Sequence, residues 1–471
     1  MKKLILLLGG FLAFSCEVAP VRPLPVVPSP SQIAWHEMEM NAFVHFSINT
    51  FTDKEWGYGD ESPKLFAPDS LNPDQWVKVF KETGFKGVIL TAKHHDGFCL
   101  WPTQLSEHSI KNSSVPVDVV AAVSEACKKY GLKFGIYLSP WDRNHPEYGR
   151  PGYIDYYRGQ LSELFKTYGP VFEMWFDGAN GGDGFYGGTR EKRTIKGSTY
   201  YRWPETLDLV RSFNPEVIFF SDAGPGVRWV GNERGVAGET NWNTITPDTL
   251  FAGKPGIEQL LNTGSESGTQ WIPAETDVSI RPGWFYHHSQ DSLVKTPERL
   301  FEIYLTSVGR GSTLLLNVPP DQHGRIHAID VASLKGLRKL IDQTFAVNLA
   351  AGSDIKGQSR GGSYVPDGLK DNNPETIWAT SDGVTTGEAT LNWNEPQKIQ
   401  YVVIQEPIRL GQRVRSFEVE VQLNGAWIQV ASGTTIGYKR ILKIDPVNTK
   451  ALRLKITDSK ECVAISELGV Y

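Results

Sequence analysis

Only four cysteines occur in 471 residues. Cys99, Cys127 and Cys462 are widely separated, so no disulfide framework of the kind that staples small exported folds is available. Their spacing does not favour a cysteine metal site either, and Cys127 falls on the apolar face of an expected helix, where a free thiol serves as a small core residue. Basic charge is not in surplus: 48 Lys and Arg against 53 Asp and Glu leave a net charge of −5. Such a chain lacks the electrostatic footprint of a nucleic-acid partner. Helical periodicity is lacking after about residue 350. What is plentiful is aromatic surface, with 14 Trp, 17 Tyr and 22 Phe. Many must be core, but tryptophan also offers a flat apolar face on which sugar C–H groups stack, which favours a glycan partner.

The apolar run at the start, within MKKLILLLGGFLAFSC, is too short to span a membrane as a mature helix. Two lysines, that run and the small residues after it predict a secretory signal over residues 1–16. Ala13-Phe14-Ser15-Cys16 resembles a bacterial lipobox. The expectation is a lipoprotein acylated at Cys16, exported to the periplasm or outer membrane of a Gram-negative bacterium, with no other membrane attachment. The Pro-rich stretch 17–32 then reads as an extended tether.

The length predicts two domains. Strand-like apolar runs centre near Val44, Ile89, Ile136, Met174 and Ile218, with a last one at Thr313-Leu314-Leu315-Leu316. Helical patterns lie between them. Asn72-Pro73 opens one with Trp76, Val79 and Phe80 on a single face, and Asp118 opens another carrying Val119, Val120, Val123 and Cys127. Buried strands alternating with amphipathic helices mean a parallel sheet covered on both faces. This many units over residues 33–348 predict an α/β fold of the (β/α)8 TIM-barrel type, although strands six and seven have no clear signature between Ala223 and Pro297. Residues 349–471 carry short period-two runs such as Phe417-Glu418-Val419-Glu420-Val421, which predict an all-β sandwich of jelly-roll type.

In such a barrel, chemistry gathers at the C-terminal ends of the strands. Glu173-Met174-Trp175-Phe176-Asp177-Gly178 puts Trp175 and Asp177 on one face and Met174 and Phe176 on the other. His45 ends the first strand, and His94-His95 ends the second. Three such histidines could ligate a metal, but the first strand reads His45-Phe46-Ser47 instead of His-x-His, and strands four and five supply no suitably placed lysine or further histidine. Neutral imidazoles bonding sugar hydroxyls fit better. A retaining glycosidase needs a nucleophilic carboxylate and a second carboxyl as acid/base. Asp177, on a rigid strand end, suits the first role. The residues themselves leave Glu233 and Glu239 both open for the second.

Several motifs together resemble glycoside hydrolase family 29: His45-Phe46-Ser47, Asp53-Lys54-Glu55-Trp56-Gly57, Ala92-Lys93-His94-His95-Asp96-Gly97-Phe98, Trp175-Phe176-Asp177-Gly178 and Arg281-Pro282-Gly283-Trp284-Phe285-Tyr286. Ser221-Asp222-Ala223-Gly224-Pro225, followed by Arg228-Trp229-Val230-Gly231-Asn232-Glu233, is similar to the α-1,3/4-selective subfamily. The resemblance implies a retaining exo-α-L-fucosidase acting on fucosylated glycans such as Lewis-type oligosaccharides. It implies Asp177 as nucleophile and Glu233 as acid/base, with His45, Glu55, His94, His95, Tyr137, Trp175 and Trp284 lining the sugar pocket, and no cofactor for the chemistry. A glycine-rich insert, 181–198, departs from the pattern beside the nucleophile. The segment from Asp367 to Trp378 is similar to the opening motif of discoidin-like (factor 5/8 type C) modules. Those often bind sugars and often carry a structural calcium ion, so 349–471 is expected to be either a carbohydrate-binding module or a buttress for the barrel. The alternative readings are a non-catalytic surface glycan-binding protein that keeps the pocket, and a barrel metallohydrolase.

Overall fold

In the computed structural model, which describes residues 18–471, eight parallel strands close into a barrel. They are β1 (Met40–Val44), β2 (Gly87–Lys93), β3 (Lys133–Leu138), β4 (Val171–Trp175), β5 (Ile218–Ser221), β6 (Val227–Trp229), β7 (Ala274–Ser279) and β8 (Thr313–Asn317). Each pairs with its sequence neighbour, and β8 closes on β1 through Met40 opposite Leu314. The expected signal segment and Cys16 lie outside the described residues.

Strand alternation sorts the side chains into two cores. Phe43, Ile89, Tyr137, Trp175, Phe220, Val227 and Leu315 point inward and fill the barrel. Val88, Leu90, Met174, Phe176, Leu314 and Leu316 point outward against the surrounding helices. Those helices start where the capping chemistry dictates. Asn72 accepts the Gln75 N–H ahead of α2 (Pro73–Glu82), and Asp118 accepts the Ala121 N–H ahead of α3 (Val119–Tyr130), which ends on Gly131 at φ 67°.

The two strands without a sequence signature are the two that lack an apolar run. No helix separates β5 from β6, only a turn through Asp222–Gly226, and β6 is three residues long. β7 reads Ala-Glu-Thr-Asp-Val-Ser, with acids directed into the barrel, so it shows no apolar run. The insert after β4 forms a small hairpin, Gly182–Gly184 against Glu191–Arg193.

The Pro-rich segment differs from a free tether. Val21 is buried in a small cluster with Ile377, Ala379, Cys462 and Ala464, and the Leu24 N–H donates to the Leu410 carbonyl. Helix α1 (Pro30–His36) begins at its end, capped by Ser29. An apolar valine flanked by prolines, already extended, docks with little further loss of conformational freedom.

Beyond the barrel, an antiparallel sheet runs in the order β9 (Asp354–Gly357), β10 (Gly387–Gln405), β13 (Arg440–Ser459), β11 (Val414–Leu423), β12 (Ala426–Gly433), with β14 (Glu467–Val470) also on β10. Its core holds Trp378, Leu391, Val402, Phe417, Leu452 and Leu454. This second unit grips the long loop after β6. Gln412 bonds both the Asn243 N–H (2.7 Å) and the Asn241 carbonyl (2.9 Å). The Thr435 hydroxyl accepts the Asn241 N–H at 2.8 Å, and Arg440 donates to the Glu239 carbonyl at 2.7 Å.

Candidate active site

The strand ends converge on a cavity of about 310 Å³, lined by Phe43, His45, Glu55, Trp56, His94, His95, Tyr137, Trp175, Asp177, Ala179, Glu233, Asp277 and Trp284. All nine residues that the family resemblance assigns to the site are brought together here. A larger cavity, about 450 Å³, lies at the other end of the barrel against the second unit and contains neither Asp177 nor Glu233.

Asp177 sits two residues beyond β4. Its Oδ1 accepts the Ala179 N–H at 2.7 Å, and its Oδ2 accepts the Tyr137 hydroxyl at 3.0 Å. Burial pushes its carboxyl above the ordinary value, while these two donors pull the other way by favouring the anion. Beneath it, the Trp175 ring stacks on Phe220 at 3.9 Å between centroids and on Tyr137 at 5.3 Å. The Trp175 indole N–H is tied to Glu275 Oε1 at 2.9 Å.

Glu233 stands at the rim, with its side chain open to solvent on one side. Partial burial raises its carboxyl above the ordinary value. A contact with the Trp284 side chain lowers it, and the charges of Asp177 and Glu55 raise it again. Glu239 lies elsewhere: its carboxylate is exposed and pairs with Arg310 at 3.2 Å. Geometry therefore separates the two glutamates that the residues alone left open.

The histidines are buried and uncharged. Burial lowers His45 and His95 to about 3 and lowers His94 well below its ordinary value. Neighbours fix two tautomers. His45 Nδ1 faces the Asn317 side-chain oxygen at 2.8 Å, so it carries the proton. Ser139 spends its own proton on the Trp141 carbonyl at 2.6 Å, so it accepts at 2.7 Å from His95 Nδ1–H. Both rings thus keep an unprotonated Nε2 as an acceptor. Their loops are anchored from outside the barrel by Lys93, wholly buried, which donates to Asp142 at 3.0 Å and to Gln160 at 2.9 Å.

Four lining residues, Phe43, Ala179, Trp56 and Asp277, were given no site role from the sequence, and the last two carry a stacking ring and a polar group. Trp56, 52% exposed, stands edge-on to His95 and Trp141 at the mouth. It belonged to a recognised motif but carried no periodicity of its own. Asp277, 3% exposed on β7, accepts the Trp229 indole N–H at 2.8 Å. Burial, then the charge of Glu233, pushes its carboxyl well above the ordinary value. The only signal for it was the period-two Glu275, Asp277, Ser279. Among the described residues no group of three His, Cys, Asp or Glu is placed to hold a metal ion.

With this geometry the comparisons agree. Residues 26–343 match the family model described as alpha-L-fucosidase, and residues 350–468 match the F5/8 type C domain. The chain is 39% identical to alpha-L-fucosidase 1 of Arabidopsis thaliana over 472 residues, covering 97% of this chain and 90% of that protein. It is similar to the structure of a glycoside hydrolase 29 family member from an unknown rumen bacterium, with TM-score 0.86 and 42% identity over 95% of this chain and 78% of that one. It is also similar to a Ruminococcus gnavus GH29 fucosidase in complex with fucose, with TM-score 0.86 and 32% identity over 96% of both chains.

Proposed function

The chain belongs to the alpha-L-fucosidase family of glycoside hydrolases, family 29, and on that premise we propose that it releases terminal α-1,3/4-linked L-fucose from glycans such as Lewis-type oligosaccharides. Asp177 attacks the anomeric carbon while Glu233 protonates the leaving oxygen. Glu233 then takes a proton from water, which hydrolyses the fucosyl-enzyme. The observation that carries this reading is that Asp177 and Glu233 face one cavity in contrasting surroundings. Asp177 is held by two donors that an anion satisfies. Glu233 faces two carboxylates, Asp177 and Glu55, that favour its protonated form.

Fucose is a 6-deoxy sugar, with one methyl edge and hydroxyls elsewhere. Phe43, Trp175 and Trp284 supply apolar wall, and the bare Nε2 atoms of His45 and His95 accept from hydroxyls. A sugar with a different hydroxyl pattern would leave those buried acceptors unpaired, which is how such a pocket rejects it. The exposed Trp56 offers a further ring surface at the mouth for the rest of the glycan. The test compares fucose release from a Lewis-type trisaccharide, an α-1,2-fucosylated disaccharide and an aryl fucoside. The trisaccharide should be turned over at least about tenfold faster than the disaccharide, a difference of ~1.4 kcal/mol. Cleavage of the aryl compound alone would sink the linkage preference while leaving the fucosidase reading in place.

For the second unit, the reading is a sandwich that carries a structural calcium ion. Glu467 has a buried Oε1 without a hydrogen-bond partner, and burial, then the Asp371 charge, pushes its carboxyl to about 7. The Thr376 hydroxyl lies beside Asp371 and the Asn373 carbonyl. An all-oxygen set of this kind suits a hard cation. Chelation should lower the melting temperature by about 5 °C, the shift that ~1 kcal/mol gives in a domain of this size, and added calcium should restore it. An unchanged melting curve would remove the ion from this account.

A further inference from the structure

His287 lies outside every role given so far. Its Nδ1 is 2.5 Å from Asp53 Oδ1, and its Nε2 is 2.6 Å from Glu55 Oε1. A neutral imidazole has one bare nitrogen, which would set lone pair against lone pair at one of these contacts. Both contacts are satisfied together by an imidazolium that donates from both nitrogens. Burial of the ring works against the charge, and the hydrogen bonds and charges of Asp53 and Glu55 more than offset it.

We propose that His287 is a positioning residue for the sugar pocket: an imidazolium bracketed by Asp53 and Glu55, it holds the Glu55 carboxylate aimed at the substrate. The proposal rests on the fucosidase reading of that pocket. Glu55 is gripped from one loop at three points. Oε1 takes the His287 Nε2–H, and Oε2 takes the Trp284 backbone N–H at 2.9 Å. Gly283 completes the grip, because a Cβ there would lie 2.2 Å from Glu55 Oε1. The loop is itself pinned by buried Arg281, which pairs with Asp330 at 2.6 Å and Asp291 at 2.9 Å. Each Glu55 oxygen retains a lone pair for a sugar hydroxyl. Glu55 in the pocket wall is thus a carboxylate with a cation behind it.

Protonation gives the arrangement a direction with pH. The charged groups against the ring are Asp53 and Glu55, both from the loop after β1. On its own loop, His288 pairs with Asp291 instead. As pH rises through the raised value of His287, one of its two N–H donors is lost and the bracket that holds Glu55 loosens, so KM rises on the alkaline side. Turnover, set by Asp177 and Glu233, changes less.

The experiment measures kcat and KM for an aryl α-L-fucoside from pH 5 to 9 in wild type, His287→Ala, His287→Gln and Asp53→Asn, with side-chain NMR of the histidines in the full chain. His287→Ala should raise KM about tenfold, with kcat within about threefold, the effect of losing one hydrogen bond to a charged group. His287→Gln, which keeps one N–H, should recover part of that. Asp53→Asn, at an exposed position, should move the alkaline limb of kcat/KM to lower pH by weakening the imidazolium. NMR should show both ring nitrogens of His287 protonated at pH 7. A merely structural role would lower the melting temperature and leave the KM of folded variants and the alkaline limb where they were. That result, or a neutral His287 at pH 7, overturns the proposal. A wild type that hydrolyses no fucoside overturns the functional reading instead, and NMR then still decides the state of His287.

Discussion

Asp177→Asn is expected to slow hydrolysis of an aryl α-L-fucoside by at least about 10⁴-fold while fucose still binds. The asparagine has the shape of the carboxylate, and its oxygen can still accept from Ala179 N–H or from Tyr137, so the pocket should survive. What it cannot do is form a stable ester at the anomeric carbon. The decisive measurement adds azide to Asp177→Gly, where the missing side chain leaves room for a small anion. Azide attacking from the Asp177 side should give β-fucosyl azide, the inverted product. Fucose release by Asp177→Asn at the wild-type rate would remove Asp177 as nucleophile.

Glu233→Gln should lose about 10²–10⁴-fold on a natural glycan, whose leaving oxygen needs a proton, and far less in the first step on an aryl fucoside with an acidic leaving group. The pH profile adds a second signature. The raised carboxyl of Glu233 is active as the acid, so wild-type kcat/KM falls as pH rises through that value. That limb should vanish in the Gln variant, leaving only the separate alkaline fall that His287 sets through KM. Azide should now attack the fucosyl-enzyme and give the retained α-azide. Glu239→Gln serves as the control, since that carboxylate is exposed against Arg310 and should leave activity near wild type. Equal losses on both substrates would mean that Glu233 does not protonate the leaving group.

The barrel was legible wherever its strands bury apolar residues on both faces. β1 to β5 and β8 announced themselves as runs of Val, Ile, Leu, Phe and Met, because each packs inward on the barrel core and outward on helices. β7 was hidden for the opposite reason. Its inward positions carry Glu275, Asp277 and Ser279, which bond Trp175, Trp229 and Asn317. A strand that furnishes a polar pocket gives up the hydrophobic pattern that identifies strands. The candidate site was legible residue by residue, but its linkages were not. Nothing in the sequence ties Glu55 to His287, 232 positions away, or Trp175 to Glu275. The choice between Glu233 and Glu239 came from a resemblance and not from composition, since both are loop glutamates flanked by glycine.

The clasp between the second unit and the loop after β6 bears on how such a protein can be recombined. Asn241 and Asn243 complete their backbone hydrogen bonds with Gln412 and Thr435, and the loop they belong to is the one that presents Glu233. A fragment ending near residue 345 would contain the whole barrel yet leave that loop with unmet donors and acceptors. The sandwich is therefore not a detachable bead. An unrelated binding module spliced in its place would have to supply an amide and a hydroxyl at matching positions. Gene fusions that swap the tail should be inherited together with changes in residues 239–243.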